Sequence, residues 1–168
     1  MKVIKIVILG DEQVGKTSLL HRLIYDTFKT SYKATLGVDV LKKTIEDLDV
    51  ELSLWDFSGQ KIFEKLRAAY YADCGGAALV FDVTHKESFE SIKTWQDEAI
   101  KNSGHPTLTF MLLANKCDLA SSQAVSDETM EAFAQSNNIK LIKISAKTGE
   151  NVEMAFREFA KVMLSRYG

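Results

Sequence analysis

Four short stretches of this chain carry residue types whose spacing has chemical meaning. The first, Gly10-Asp11-Glu12-Gln13-Val14-Gly15-Lys16-Thr17, has the form G-x-x-x-x-G-K-[ST], the pattern of a loop that wraps a polyphosphate. Such a loop aims several backbone N–H groups inward, and glycine allows turns and close approaches that a Cβ would block. A helix beginning at Lys16 adds its unpaired N-terminal N–H groups and the positive end of its dipole to the same anion. Gln13, Val14, Gly15, Lys16, Thr17 and Ser18 are therefore expected to bind a nucleotide. Lys16 would reach the β- and γ-phosphates, and the Thr17 hydroxyl would bind Mg²⁺. The alternative is a chance Gly-Lys turn, and the apolar run before it and the helical pattern after it weigh against that.

The second stretch is Trp55-Asp56-Phe57-Ser58-Gly59-Gln60. An acid ending an apolar strand near a phosphate loop is a second anchor for Mg²⁺, here Asp56. The Gly59 N–H would approach a γ-phosphate, and Gln60 would orient an attacking water. Alone, the pattern matches any strand-ending acid followed by glycine. The third and fourth stretches are Asn115-Lys116-Cys117-Asp118 and Ser145-Ala146-Lys147. Asp118 can accept from the N1–H and the exocyclic amine of guanine, donors that adenine lacks at those positions, and a site built on such bonds discriminates strongly. The Ala146 N–H would meet the guanine O6, and the stems of Lys116 and Lys147 would lie against the base. Either motif alone reads as turn residues; the ordered set of four argues for a base site.

These loops need elements to hold them in place. Residues 2–9 read as a buried strand and about 16–25 as a helix, with a polar loop from Asp26 to Gly37. Period-2 apolar positions (Val38, Val40, Ile45, then Val50, Leu52, Leu54) give two strands, joined by an acidic hairpin turn at Glu46–Asp49. Residues 57–67 read as a polar loop running into a helix that ends near Ala72. Ala77–Val83 is a nearly continuous apolar run, the mark of a central strand. Thr84 and Glu87 have the form of a capping box, ahead of Phe89, Ile92, Trp95 and Ala99 at helical spacing. Pro106 is expected in a turn, Thr107–Ala114 in a strand, and Asp127–Ser136 in a helix capped by Ser126. Lys140–Ile144 completes the strands, and Val152, Phe156, Phe159 and Met163 stripe a last helix. The alternation predicts an α/β fold: a six-stranded, mainly parallel sheet with one antiparallel edge strand and helices on both faces. Ligands of such folds bind beyond the carboxyl ends of the strands, where all four stretches fall.

The bulk numbers restrict the rest. At 168 residues the chain is expected to be one domain, 1–168. A formal net charge of −2 supplies no electrostatic reason for a nucleic-acid partner. Only Cys74 and Cys117 are present, which argues for a reducing, cytoplasmic setting rather than a disulfide framework. There is no apolar stretch of membrane-spanning length. No lipidation signal is visible at Ser165–Gly168, and attachment to a membrane surface would require a longer, lipidated C-terminus.

Taken together, Gly10–Thr17, Thr35, Asp56–Gln60, Asn115–Asp118 and Ser145–Lys147 make the chain resemble a small GTPase of the Ras superfamily along nearly its whole length. A Rab-like flavour comes from Thr35-Leu36-Gly37-Val38-Asp39, from Tyr70-Tyr71, and from Leu79–Thr84 with Glu87-Ser88-Phe89. The resemblance implies a P-loop, Ras-like G domain that is monomeric and switches between GTP and GDP with Mg²⁺. Thr35 would bind Mg²⁺ and the γ-phosphate, so Gln60, Lys16 and Thr35 carry catalysis and Thr17, Thr35 and Asp56 hold the metal. Phe28 would pack near the guanine and Tyr32 could close over the phosphates. Segments 28–38 and 57–70 would be the two switches, released after hydrolysis. An exchange factor, an activating protein and effectors would bind through residues about 28–45 and 57–72, in vesicle trafficking or signalling.

The sequence departs from that family at Glu12, where a small residue is usual. Glu12 either points harmlessly to solvent, or crowds Gln60, repels the γ-phosphate or blocks an arginine supplied in trans, which would leave slow intrinsic hydrolysis. Neither Arg22 nor Arg67 is obviously placed to act in cis. Ser58 stands in place of the usual alanine, and Lys61-Ile62-Phe63-Glu64 departs from the Rab pattern. The competing function is a nucleotide-holding interaction module with negligible hydrolysis. An ATP-using enzyme is disfavoured by Asp118 and Ala146.

Overall fold

Alternation of inward and outward residues along each strand builds a sheet with two apolar faces. The computed structural model describes residues 1–30, 32–104 and 107–167. Ser31 and the expected turn at Pro106 lie outside the described residues. In chain order the elements are β1 Lys2–Leu9, α1 Lys16–Tyr25, β2 Val38–Ile45, β3 Val50–Phe57, α2 Glu64–Tyr70 and β4 Gly76–Asp82. They continue with α3 Lys86–Glu90, α4 Ile92–Ser103, β5 Thr109–Asn115, α5 Asp127–Ser136, β6 Lys140–Lys143 and α6 Val152–Tyr167. The strand order is β2-β3-β1-β4-β5-β6, with β2 antiparallel to β3 and the other pairs parallel.

Ile4, Ile6 and Ile8 of β1 pack with Leu19, Leu20 and Leu23 of α1 and with Phe156, Phe159 and Met163 of α6. Val7 and Leu9 point the other way, toward Ile92, Trp95 and Ala99 of α4 and Met130 of α5. Every residue of β4 is buried, as its unbroken apolar run predicts for a strand covered on both faces. The helices therefore lie on both faces of the sheet. Among the described residues no helix is long and apolar enough to cross a membrane.

The chain passes from β3 over β1 to β4, so its direction of winding reverses beside β1. That is where a crevice opens at the carboxyl ends of such sheets. Strand register sets the depth of each loop in that crevice. Asp56 pairs with Ile8, and Asn115 pairs with Asp82, which brings the loops after β1, β3, β4 and β5 to one level.

Two local expectations are corrected. The segment from 57 to 67 is not a plain loop: a 3-10 turn spans Lys61–Phe63 and α2 already begins at Glu64, ending at Tyr70. Its charged sequence hid the helix because the residue it buries is Arg67. The capping box at Thr84 and Glu87 does not form. The Thr84 N–H and hydroxyl both donate to Asp82 Oδ1, at 2.8 and 2.7 Å, and α3 is preceded by His85 without a side-chain cap. An aspartate two residues back offers a shorter closure than a glutamate three residues on. Ser126 does cap α5, accepting from the Thr129 N–H at 3.1 Å.

Candidate functional site

The loop after β1 runs directly into α1, and glycine is required at Gly15. Its φ of 96° is left-handed, and a Cβ there would lie 2.4 Å from Asn115 Nδ2. The same Asn115 amide donates to the Val14 carbonyl at 2.9 Å, while its Oδ1 accepts from the Ala146 N–H at 3.2 Å. One buried side chain thus joins three of the four stretches. Asp118 is exposed, with Oδ1 accepting from the Ser145 hydroxyl at 2.8 Å, which orients the carboxylate. Lys116 reaches the Gln13 carbonyl at 3.2 Å and pairs with Asp82 at 2.7 Å. Burial of Asp82 opposes its ionisation, yet its bonds to Lys116 and Thr84 hold the carboxyl below the usual aspartate range. Gln13 and Lys116, so joined, both take left-handed backbone, φ 65° and 67°, a strain typical of sites over-determined by their surroundings.

Lys16 is buried, its ammonium donating to the carbonyls of Gly10 at 2.7 Å and Asp11 at 3.0 Å. Desolvation lowers its pKa, partly countered by the nearby Asp56 and Asp11. The Thr17 hydroxyl lies 2.8 Å from Asp56 Oδ2 and 3.0 Å from the Thr35 hydroxyl, which is itself 3.3 Å from the same carboxylate oxygen. Burial raises the Asp56 pKa against the pull of Lys16 and the two hydroxyls. Its other oxygen, Oδ1, is buried with no hydrogen-bond partner among the described residues. Two hydroxyls and a buried carboxylate with an unused oxygen form an all-oxygen donor set, the kind a hard divalent cation takes. A group of three or more His, Cys, Asp or Glu side chains suited to a metal is absent among the described residues.

These parts surround a cavity of about 600 Å³. Gln13, Gly15, Lys16, Thr17, Ser18, Phe28, Tyr32, Thr35, Gly59, Asn115, Lys116, Asp118, Ala146 and Lys147 line it. Val14, Ser145 and Asp56 stand behind that lining as buried supports. Glu12 and Ser58 line it as well. A larger hollow, about 870 Å³, lies at the opposite end of β5 beside Met111, Phe159 and Arg166. Among the described residues its charged lining is Lys140 and Arg166, which offers no pairing of acid, base or nucleophile.

A family model described as the Ras family matches residues 5–165. The chain belongs to the Ras family. Ras family proteins bind guanine nucleotides and work as GTP-binding switches, and the fold and the match agree with a P-loop GTPase domain.

The loop after β3 packs directly on the phosphate loop. Gly59 sits on the phosphate loop so closely that a Cβ would lie 2.6 Å from both the Glu12 nitrogen and the Gly10 oxygen. Gln60 is half-buried and does not line the cavity. Tyr32 packs its ring on His21 at 4.7 Å, and its hydroxyl accepts from the Lys29 N–H at 3.1 Å, so it is turned toward α1. Neither arginine considered for a role in cis is available for one. Arg22 clamps the base motif, donating to the Ala146 carbonyl at 2.9 Å and the Lys147 carbonyl at 2.6 Å. Arg67 is buried beneath the Ser58–Gln60 backbone.

Sequence reasoning missed the supports of the site. Arg22, Asp82, Arg67, Glu98 and Trp95 all hold site loops without lining the cavity. For Glu98 a signal did exist: it falls three residues after Trp95, beside the buried stripe of α4, where an acid needs a cation. For Arg22 none did, since its partners are 124 and 125 residues away.

Proposed function

We propose that this Ras family chain is a single-domain switch of Rab-like type that binds GTP and GDP with Mg²⁺ and hydrolyses GTP slowly. The observation that carries the reading is the meeting of Thr17, Thr35 and Asp56 at the mouth of the phosphate loop, with Asp56 Oδ1 unpartnered. Those three residues would hold Mg²⁺, which when bound neutralises charge on the β- and γ-phosphates. Thr35 comes from the exposed loop before β2, so binding at the γ-phosphate would order that loop. Lys16, already desolvated, offers its ammonium to the phosphates with little further dehydration. Asp118 would accept from the N1–H and the exocyclic amine of guanine, and the Ala146 N–H, which donates to Asn115 Oδ1 at 3.2 Å, would be shared with the guanine O6, while Phe28 and the stems of Lys116 and Lys147 cover the base faces. Gln60 orients the attacking water after moving into the cavity. An exchange factor, an activating protein and effectors would use residues about 28–45 and 57–72, in trafficking or signalling.

Glu12 favours a second reading, a nucleotide-holding module with negligible hydrolysis. Its exposed side chain lines the cavity beside Gly59 and has no hydrogen-bond or ion-pair partner among the described residues. A carboxylate there opposes the incoming γ-phosphate.

Single-turnover phosphate release from the GTP-loaded protein tests both readings. A rate on the order of 10⁻⁴ s⁻¹, lost in Gln60→Leu and indifferent to Glu12→Gly, supports the slow GTPase. No detectable release, restored by Glu12→Gly, supports the module. Failure to retain GTP against excess ATP sinks both.

A further inference from the structure

The stretch Leu79-Val80-Phe81-Asp82-Val83-Thr84 with Glu87-Ser88-Phe89 takes no part in the chemistry above. In the fold it closes into one tight turn around Asp82, a carboxylate 6% exposed at the end of β4. The Asp82 N–H donates to the Ser88 hydroxyl oxygen at 3.0 Å, and that hydroxyl donates on to the His85 carbonyl at 2.6 Å. Oδ1 accepts from both the N–H and the hydroxyl of Thr84. Oδ2 faces the other way and accepts from the Lys116 ammonium at 2.7 Å. Strand register makes this contact possible, because Asp82 lies opposite Asn115, one residue before the lysine. The Val83 N–H also donates to the Asn115 carbonyl at 3.1 Å, so backbone laces the turn to the base motif. The same ammonium bonds the Gln13 carbonyl at 3.2 Å, and the Lys116 side chain lines the cavity between these two ties.

A lysine in water samples many rotamers, and a base that packs on its stem must first freeze them. Here a buried carboxylate freezes them before any ligand arrives. The bond is charge-assisted and sheltered from solvent, so it is strong enough to hold one rotamer. Neither Asp82, Thr84 nor Ser88 lines the cavity, so their effect on a ligand has to pass through Lys116. We propose that Asp82 is a positioning residue for base recognition, locking the Lys116 stem in place along the face of the guanine. The inference rests on the reading of this chain as a guanine-nucleotide switch and deepens it, giving the base site a support outside the cavity. The plainer alternative makes Asp82 a strand-end acid that closes its own turn, with Lys116 as a counterion. A counterion needs no second tie, whereas Lys116 is fixed to the phosphate loop as well. Because the contact is on the base side, it acts alike on GDP and GTP.

The test is the rate at which fluorescently labelled GDP, or a labelled non-hydrolysable GTP analogue, leaves the protein in Mg²⁺ buffer, beside urea unfolding of the same variants. Asp82→Asn keeps Oδ1 for Thr84 but turns an N–H toward Lys116. Release of both nucleotides should quicken by about three- to tenfold, to the same extent for each. Thr84→Val removes one bond of the turn and leaves the ion pair, so its release rates should stay within about twofold of wild type. Adding Asp82→Asn to Lys116→Met should change release by no more than about twofold, because both substitutions break one contact. Two effects that multiply independently overturn the proposal. So does an Asp82→Asn protein that loses stability yet releases both nucleotides at the wild-type rate, or one that quickens the GTP analogue alone. Where Asp82→Asn by itself does not fold, the double variant removes the charge together with its counterion, and its comparison with Lys116→Met decides. A wild-type protein that retains no GDP against excess ATP fails the switch reading and the proposal with it. That result is distinct from a wild type that holds GDP beside an indifferent Asp82→Asn, which overturns the proposal alone.

Discussion

The two loops that flank the phosphate cavity are held by opposite means. Residues 28–30 and 32–37 lie over the cavity with Lys29, Thr30, Lys33, Ala34 and Leu36 exposed, and Leu36 is 76% accessible. Among the described residues the Thr35 hydroxyl bonds Thr17 and Asp56, residues of the site itself. The Gly37 carbonyl accepts from the Ser58 N–H at 2.8 Å, the link between the two loops. Residues 58–70 are held instead by Arg67, Glu98, Tyr71 and Trp95, a buried set anchored on a neighbouring helix. A segment whose partners belong to the site responds to whatever occupies the site. A segment whose partners lie in a packed core must rearrange those partners when it moves, because its motion opens buried charge and close-packed surface together.

The contrast can be broken most severely at Arg67. Arg67→Ala strands Glu98 and removes both carbonyl contacts, and urea unfolding should show a loss of about 3–5 kcal/mol. A loss below about 1 kcal/mol would mean that water substitutes freely and that the pair is not truly buried.

Tyr71→Phe is the next step down. It removes one donor to a charged acceptor and should cost about 1.5–3 kcal/mol in the same assay. The phenol also makes a pH prediction. An unfolded tyrosine ionises near pH 10, whereas Tyr71 in the folded chain holds its proton well above that. Above about pH 10 the unfolded state therefore binds fewer protons than the folded one, and stability falls as pH rises. Tyr71→Phe should flatten that alkaline slope, read from denaturation midpoints at stepped pH.

Trp95→Phe sharpens the comparison by cutting the tie between α4 and the phosphate loop while leaving an aromatic ring under Arg67. A loss of about 1.5 kcal/mol, the low end for a bond to a carboxylate, is expected because Asp11 is only partly buried. A larger loss would make the indole, rather than the ion pair, the main anchor.

The smallest effect on stability belongs to the other loop. Thr35→Ala should cost less than about 1 kcal/mol of unfolding free energy, because Thr17 still donates to Asp56 Oδ2 at 2.8 Å. It should nonetheless weaken Mg²⁺-dependent retention of a GTP analogue by about tenfold, the worth of one or two hydrogen bonds, and leave GDP retention unchanged. Equal weakening of both nucleotides would argue that Thr35 is structural.

Much of this molecule was legible beforehand because its signals are local. The apolar run at Ile6–Leu9 followed by Gly-x-x-x-x-Gly-Lys-Thr specifies strand, loop and helix within a few residues, and β1 and α1 form at those bounds. Ser126 capped its helix as its position foretold. Where two local signals competed, the reading failed: Thr84 satisfied Asp82 rather than Glu87. The start of α2 is not legible in Glu64-Lys65-Leu66-Arg67, a charged run that fits the end of a polar loop as well as a helix, and the structure buries its arginine.

The sequence by itself determined which groups could meet a nucleotide and the order of strands and helices that carries them, since period, glycine placement and terminal acids act over one turn or one strand. Tertiary structure alone decided how those groups are backed. Asn115 reaches Val14 across 101 residues, Arg22 reaches Ala146 across 124, and Arg67 reaches Glu98 across 31. A charged side chain looks the same in sequence whether it faces water or a buried partner. Which it does depends on the packing of distant elements, and that packing sets what backs each loop beside the phosphates.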